Sequence, residues 1–410
     1  MKKTLAIAIM TLVLAAVPAA QALEIDPNVM PEVNLGGRVI ATVNANRAKD
    51  AAGSRDGDEH MDFSDSSLLL GFSKYLFDSR RYGFAVIGFK IPEDGTDLKD
   101  DIYFHELHAG VGGASWEAKL GRSRLGNALI SFPTLREEDL LAYTHVGNGS
   151  SNAEAEEYQL FGNVIAGNWW FTKALSVDAG ITGRTVTDVA GARTSGDQLN
   201  GAYLGLAYDL PESIKVGRGV RYAGLRFDTQ EAQEIDAMLP KDRMNALIGA
   251  LVVNLSGNPE STWVLDLQAI MNDGASVTDL ASEAARARAK ATSVATSIRY
   301  GYRPALQTHW QVALTLAWKD YRDFSDATAW AIVPSLAYRL GSGVDFLAQY
   351  RYSDYDSTLA AALDRKSEQM VWLGLQFALD ATFNETVGER KSILNLEHNM
   401  LDIGPMGGGH

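Results

Sequence analysis

The chain contains no cysteine among its 410 residues. Disulfide frameworks and thiolate chemistry are therefore excluded, and a metal site would need histidine and carboxylate ligands. Basic residues are in the minority, because 37 Lys and Arg face 51 Asp and Glu for a formal net charge of −14. This balance argues against a nucleic-acid partner, whose phosphates attract proteins with an excess of positive charge.

Long hydrophobic runs are missing as well. Beyond the N-terminal segment there is no stretch of eighteen consecutive apolar residues, although hydrophobic residues make up 46% of the chain. A helical membrane protein is excluded by this, because each helix would need about 20 mostly apolar residues. Strands that cross a bilayer escape the test, since their apolar and polar residues alternate.

The N-terminal segment has the parts of a secretory signal peptide. Lys2 and Lys3 supply positive charge, residues 5–17 form an apolar run too short to span a bilayer, and Ala20-Gln21-Ala22 matches a cleavage site. We therefore predict that residues 1–22 are removed from an exported protein of bacterial type.

Alternation with a period of two residues dominates the rest of the chain. Across residues 309–319 most odd positions are small or polar, whereas the even positions are Trp310, Val312, Leu314, Leu316 and Trp318. Residues 344–353 alternate in the same way, and their apolar face ends in Tyr350 and Tyr352. Aromatic residues at the ends of apolar faces are typical of strands that cross a bilayer. We predict an all-β fold, a transmembrane antiparallel β-barrel.

Strand candidates run from residue 33 to residue 383 and number sixteen. Even-numbered strands are followed by tight turns and odd-numbered strands by longer polar loops, as expected for short periplasmic turns and long extracellular loops. We assign residues 23–383 to the barrel. Its longest connection, residues 123–156, follows the fifth strand, and we expect it to fold inward and narrow the pore. An alanine-rich loop at 277–290, acidic early and basic late, predicts a short extracellular helix.

The same alternation predicts which charges line the pore. If residues such as Val220, Tyr222, Val294 and Tyr300 face lipid, their neighbours in sequence face the lumen. A charge on the lipid side would cost about 2–4 kcal/mol at mid-bilayer, so placement in the lumen is favoured. We therefore assign a row of basic side chains to the pore wall: Arg221, Arg299, Lys319, Arg339 and Arg351.

With these strands and this loop, the chain resembles the sixteen-stranded general porin family of Gram-negative outer membranes. The resemblance covers essentially the whole mature chain and includes Leu120-Gly121-Arg122, the run that ends the strand before the longest loop. It implies that acidic residues of this loop form the pore constriction and face the basic row. In this sequence those residues would be Glu137, Glu138 and Asp139.

The resemblance implies a function as well as a fold. We expect an outer-membrane porin that contacts the lipid bilayer and forms a water-filled channel for passive diffusion of small hydrophilic solutes or ions. A homotrimer is one assembly compatible with this function, and no catalytic residue, metal or cofactor is implied. His105 and His108 do not form a metal site in this interpretation, because residues three apart on a strand point to opposite faces.

Two alternatives stay open. The barrel could serve as a sleeve for a periplasmic partner such as a multihaem cytochrome, or as an export channel. The tail, residues 384–410, follows Phe383, which closes the last strand. We expect a periplasmic tail that is disordered, although a plug inside the barrel or a docking peptide for a partner would use the same residues.

Overall fold

The computed structural model describes most of the chain after residue 30. The described residues are 31–50, 52–53, 55–63, 66–76, 81–90, 103–124, 129–135, 161–184, 186–187, 193–194, 199–210, 217–232, 242–256, 258, 260–274, 277–280, 285–286, 289–303, 308–383 and 394. Among them, no helix is both long and apolar enough to cross a membrane. The predicted signal peptide, residues 1–22, lies outside this set.

Strands make up nearly all of the described regular structure. A short helix, α1 (Ser357–Leu363), lies in the last connection. The strands are β1 (Glu32–Lys49), β2 (Arg55–Asp62), β3 (Ser67–Tyr75), β4 (Arg81–Lys90), β5 (Tyr103–Gly113), β6 (Trp116–Arg124), β7 (Phe161–Trp170), β8 (Leu175–Arg184), β9 (Val186–Thr187), β10 (Arg193–Thr194), β11 (Gly201–Asp209), β12 (Gly219–Ala232), β13 (Asp242–Asn254), β14 (Ser261–Asp273), β15 (Ala291–Tyr302), β16 (Trp310–Tyr321), β17 (Thr328–Gly341), β18 (Val344–Tyr355) and β19 (Ser367–Phe383).

The strands form a closed antiparallel barrel in which neighbours in the wall follow the order of the chain. Closure comes from β1 and β19, which pair continuously from Val33 with Phe383 to Lys49 with Ser367. The opposite edge of β1 pairs with β3 over its first half and with β2 over its second half, so β2 and β3 form one interrupted wall strand. With β2 and β3 counted together and the separate β9–β10 hairpin left aside, the wall has sixteen strands. The predicted fold and strand number are confirmed.

Alternating burial separates an apolar outer face from a polar inner face. On β14, Trp263, Leu267 and Met271 are exposed on the outside, whereas Asp266 and Gln268 are buried on the inside. This arrangement is the one that a transmembrane barrel needs, because lipid contacts one face of each strand and the lumen contacts the other.

Aromatic side chains form two rows at opposite ends of the outer face. Near the short turns, the Tyr300 ring lies 4.9 Å from that of Trp263 and 5.4 Å from that of Trp310, measured between ring centres. Near the longer connections, Trp318 pairs with Trp330 across β16 and β17. Eight residues separate Trp310 from Trp318 on β16, which corresponds to about 20 Å along the barrel axis for a tilted strand. This spacing fits the apolar band of about 25 Å between two aromatic girdles.

The alternation of short turns and long loops is less strict than the sequence predicts. The predicted loop after the first strand is short, because β1 continues to Lys49 and β2 begins at Arg55. Backbone pairing of β1 with both β2 and β19 persists to Lys49, which turns part of the expected loop into strand. The β16–β17 connection is also short, extending only from residue 322 to residue 327.

The loops at this end of the barrel pack around α1. Leu359 of α1 is buried with Leu280 and Tyr321, which belong to two other connections or strand ends. The N–H of Ala289 donates to the carbonyl of Ala285 at 2.9 Å, the spacing of an α-helical turn. Residues 281–284 and 287–288 of the predicted extracellular helix lie outside the described residues. Helix α1 was not predicted, because its seven residues are too few to show a period.

Tyr222 does not face lipid as the alternation predicts. The register between β12 and β13 shifts between Val220 and Tyr222, which marks a β-bulge. An extra residue in one strand reverses the parity of every residue after it. Tyr222 is therefore 5% exposed and packs in an internal cluster, while Leu225 and Phe227 take the outer face.

Gly121 explains the Leu-Gly-Arg run at the end of β6. Its φ is +132°, a conformation that side chains disfavour, and a Cβ at this position would overlap the carbonyl oxygen of Leu107 on β5. β6 stays paired with β5 from Trp116 to Arg122, a stretch that includes this close approach.

We expect Gly121→Ala to destabilise the barrel by roughly 1–3 kcal/mol, because alanine must adopt a disfavoured φ and displace the β5 backbone. The measurement is the unfolding temperature, at which the protein stops migrating in gel electrophoresis as the compact folded form and migrates as the unfolded chain. Gly249→Ala on β13 is the matched control, since nothing lies within 4 Å of a Cβ there and its φ is ordinary. Equal unfolding temperatures for the two variants would contradict this role for Gly121.

Candidate channel lumen

The inner face of the barrel carries polar and charged side chains. On β14 and β15 these are Thr262, Asp266, Gln268, Asn272, Ser293, Ser297 and Arg299. All of them are buried even though they line a closed barrel, which means that other groups of the chain lie against them. The arrangement of these groups determines what the lumen can admit.

Residues 129–135 of the longest connection lie inside the barrel against this wall. The backbone N–H of Leu129 donates to Oε1 of Gln268 at 2.7 Å, and the N–H of Leu135 donates to Oε1 of Gln349 at 2.7 Å. Between these ends, the hydroxyl of Ser335 donates to the carbonyl of Pro133 at 2.6 Å. Three inward side chains from β14, β17 and β18 thus satisfy backbone groups that would otherwise be buried without partners.

Apolar contacts reinforce these hydrogen bonds. Ile130 and Phe132 pack against Val264 and Val333 in one internal cluster, and Leu135 packs against Trp372 in a second. The wall beneath the first cluster includes the inward alanines Ala295, Ala317 and Ala331. These small side chains leave room for the segment, so the wall sequence is complementary to the chain that covers it.

The segment lies far from the strand that precedes it in the chain. Its hydrogen bonds to the wall run from β14 to β18, on the opposite side of the ring from β6. The remainder of the connection, residues 125–128 and 136–160, lies outside the described residues. The constriction predicted at Glu137, Glu138 and Asp139 falls there and stays a prediction.

Arg299 lies on the inner face, but it is not exposed to an open pore. Its guanidinium contacts Oδ1 of Asp266 at 2.6 Å, and both side chains are fully buried. The hydroxyl of Ser297 donates to the other carboxylate oxygen of Asp266 at 2.5 Å. Arg299 is therefore one half of a buried ion pair, because the neighbouring strand β14 supplies a carboxylate at nearly the same level.

Two further members of the predicted basic row also have acidic partners. Arg339 contacts Asp345 at 3.1 Å, with the arginine partly exposed and the aspartate buried. Arg351 contacts Glu368 at 2.9 Å, and Arg365 contacts the same carboxylate at 2.7 Å. Each of these ion pairs presents a dipole to the lumen instead of an isolated positive charge.

Arg221 and Lys319 complete the predicted row. Arg221 lies at the β12 bulge, is buried, and acts electrostatically on Asp266. Lys319 is half-buried on the inner parity of β16, and its ammonium group lies 4.8 Å from the centre of the Tyr321 ring. Among the residues that the structure describes, Lys319 takes part in no ion pair, so no close carboxylate offsets its charge.

A charged cluster on β11 and β12 escapes the sequence prediction. Arg226 contacts Asp228 at 3.0 Å and lies over the ring of Tyr203, 4.2 Å from its centre. Arg226 and Asp228 have the same parity as Tyr222, so an unbroken alternation along this strand would put all three on the lipid face. The signal was present in the sequence, since two charges at consecutive outward positions are unfavourable in lipid and indicate a change of parity.

The histidine considered as a metal ligand also points inward. Nδ1 of His108 lies 3.5 Å from a carboxylate oxygen of Glu106, and both side chains are buried. The side chain of His105 lies outside the described set. The two residues Glu106 and His108 thus form a wall contact on β5.

We expect Arg299→Gln to lower the free energy of unfolding by about 3–5 kcal/mol, because it leaves Asp266 buried without its partner. Asp266→Asn should act similarly, and the double variant should lose less than the sum of the two. Denaturant unfolding of the folded barrel in detergent or lipid measures all three. Lys319→Gln is the control, and additive losses would contradict coupling between Arg299 and Asp266.

No family model and no curated protein matches this chain, but solved structures match its fold. The anion-selective porin of Comamonas acidovorans is 15% identical, with a TM-score of 0.58 over 85% of this chain and 99% of that one. The outer-membrane channel DcaP of Acinetobacter baumannii is 15% identical, with a TM-score of 0.56 over 85% and 98%. The trimer form of in vitro folded OmpT, an outer-membrane protein of Vibrio cholerae, is 11% identical, with a TM-score of 0.53 over 85% and 100%. The chain is thus a sixteen-stranded transmembrane β-barrel with the fold of the Gram-negative outer-membrane porins.

Proposed function

We propose that this barrel is an outer-membrane porin, a water-filled channel for passive diffusion of small hydrophilic solutes or ions. The observation that carries the proposal is the division of each strand into two faces. Outward Trp263, Leu267 and Met271 suit lipid, while inward Asp266 and Gln268 suit a polar interior. A closed barrel with this polarity separates water from lipid and leaves a polar path along its axis.

Passive diffusion fits the inner wall better than a chemical reaction does. The charged groups form ion pairs with one another, as Arg226 with Asp228 and Arg339 with Asp345. Such pairs orient polar solutes and disfavour apolar ones without any bond being made or broken. We therefore propose a non-enzymatic channel that needs no cofactor.

The alternative of a sleeve for a multihaem cytochrome or an exported polymer needs a wide lumen. Residues 129–135 lie along the inner wall from β14 to β18 and take up part of that width. This observation weighs against a protein-sized guest and favours small solutes. We propose a homotrimer as the assembly, in keeping with the trimer form of the similar OmpT structure.

Selectivity is proposed to depend on charges that have no close partner of opposite sign. Lys319 is such a group on the described wall, and Glu137, Glu138 and Asp139 are the proposed acidic side of the constriction. Paired charges contribute mainly dipoles, whose fields decline faster with distance than the field of a single charge. The net preference for cations or anions is therefore set by few residues.

The purified protein should produce stepwise, ohmic currents in a planar lipid bilayer. A diffusion channel admits salt in proportion to its concentration, so conductance should rise with salt and persist at both polarities. Protein unfolded by heating before addition is the control. Folded protein that inserts without conducting would contradict the channel and favour a sleeve that is filled until its partner is present.

Neutralising Glu137, Glu138 and Asp139 together should shift the reversal potential in a salt gradient toward anion preference. Lys319→Gln should shift it toward cations. Screening lengths fall from about 10 Å at 0.1 M salt to about 3 Å at 1 M, so both shifts should weaken as salt rises.

The control for the acidic variant removes three exposed acidic charges elsewhere, at Asp58, Glu59 and Asp273. It should keep the reversal potential of the unmodified channel, because those charges are screened by bulk solvent. If this control shifts the potential and the Glu137, Glu138 and Asp139 variant does not, the constriction lies elsewhere.

A further inference from the structure

An apolar patch interrupts the polar inner wall where β3 and β4 meet. Leu69, Tyr82, Phe84 and Val86 all have inward parity, and each is 5% exposed or less. Water in an open lumen would make such a patch unfavourable, because burial of apolar side chains drives folding and exposure opposes it. Some group must therefore cover it.

Leu394, from the segment after the last strand, covers the patch. This side chain is 2% exposed and belongs to the same cluster as Leu69, Tyr82, Phe84 and Val86, with Tyr75 packed at its edge. The tail residue therefore lies within the barrel, in contact with the inner surface of two wall strands.

Chain length allows this placement. Phe383 pairs with Val33, Val33 with Phe72 and Phe72 with Ala85, so three strand spacings, about 14 Å in all, separate the end of β19 from β4. Leu394 follows Phe383 by eleven residues, which can extend up to about 36–40 Å. Tyr82 is the second residue of β4, next to the turn at the same end of the barrel as Phe383.

We propose that Leu394 is a resident plug residue of the channel, held in contact with the inner wall of β3 and β4. This inference rests on the proposed channel function and adds a further narrowing of the lumen to it. Burial of a leucine favours the docked over the undocked segment by roughly 10- to 100-fold. Leu394 is therefore at the inner wall in most molecules.

The position of the patch explains how docking narrows the path. β4 and β14 lie on opposite sides of the ring. Residues 129–135 lie against the wall that begins at β14, and Leu394 lies against β3 and β4. Chain segments thus approach the lumen from two opposite walls, and the solute path runs between them.

Site-directed cross-linking tests the docked position. Because the chain has no native cysteine, only the two introduced cysteines can react. Leu394→Cys combined with Leu69→Cys should link with a short thiol-specific cross-linker. Leu394→Cys combined with Leu70→Cys is the matched control, because Leu70 is the next residue of β3 and has outward parity. Equal linking in both variants, or linking only at Leu70, would overturn the proposal.

Single-channel conductance tests the consequence of docking. Leu394→Asp and deletion of residues 384–410 should both raise the conductance, whereas the cross-linked Leu394–Leu69 channel should keep the low value. The barrel should still fold without the tail, because β1 and β19 pair fully up to Phe383. A deletion variant with unchanged conductance would overturn the plug.

The two proposals fail in different ways. If neither the intact protein nor the deletion variant conducts, the channel function is wrong, while cross-linking still decides where Leu394 lies. If both conduct equally, the channel stands and the plug is wrong. If the deletion variant does not fold, the conductance of Leu394→Asp is compared with that of the intact protein instead, because this variant keeps the tail.

Discussion

The pairing of β1 with β19 is the constraint on which the rest of the structure depends. In a bilayer core, backbone N–H and C=O groups find no water, so each must be satisfied within the protein. Continuous pairing from Val33 with Phe383 to Lys49 with Ser367 removes the two free edges that an open sheet would have. Once the sheet is closed, successive side chains of each strand face one of two environments, the lipid or the lumen. The face of the wall on which each side chain lies follows from this division.

Closure also explains why the inner wall can hold so many charges. Opposite charges on neighbouring strands come together at the same level, as Asp266 of β14 and Arg299 of β15 do. Burying such a pair is unfavourable unless its hydrogen bonds are complete, and Ser297 supplies one of them. The same wall turns amide side chains, Gln268 and Gln349, toward the backbone of residues 129–135. The lumen is therefore organised by polar side chains that bind other parts of the chain and are not simply left in water.

The sequence predicts the barrel well because alternation and turns are local signals. The sixteen wall strands were recovered, since a strand with one face in lipid repeats its pattern over ten or so residues. Tyr222 was misplaced because a bulge is a single-residue event, and only the charges at Arg226 and Asp228 record it. The ion partners of Arg299 and Arg351 could not be read from parity, which gives the face of a residue but not its level along the barrel. Contacts of residues 129–135 and of Leu394 join positions far apart in the chain, and no periodic pattern encodes them.

In an empty barrel, the diameter of the wall would set the free cross-section of the pore. Because parts of this chain lie inside the lumen, the two can differ. Strand number and tilt fix the diameter of the wall, and changing them would disturb the whole hydrogen-bonded ring. The free cross-section depends instead on residues 129–135 and on Leu394, which contact the wall through a limited set of side chains such as Gln268, Ser335 and Val86. Substitution at these contacts can alter the width and charge of the path without affecting closure. Ala295, Ala317 and Ala331 have such a role, because they add no polar group to the lumen and pack beneath residues 129–135. Pore properties of such a protein can therefore change by single substitutions on a barrel that itself stays constant.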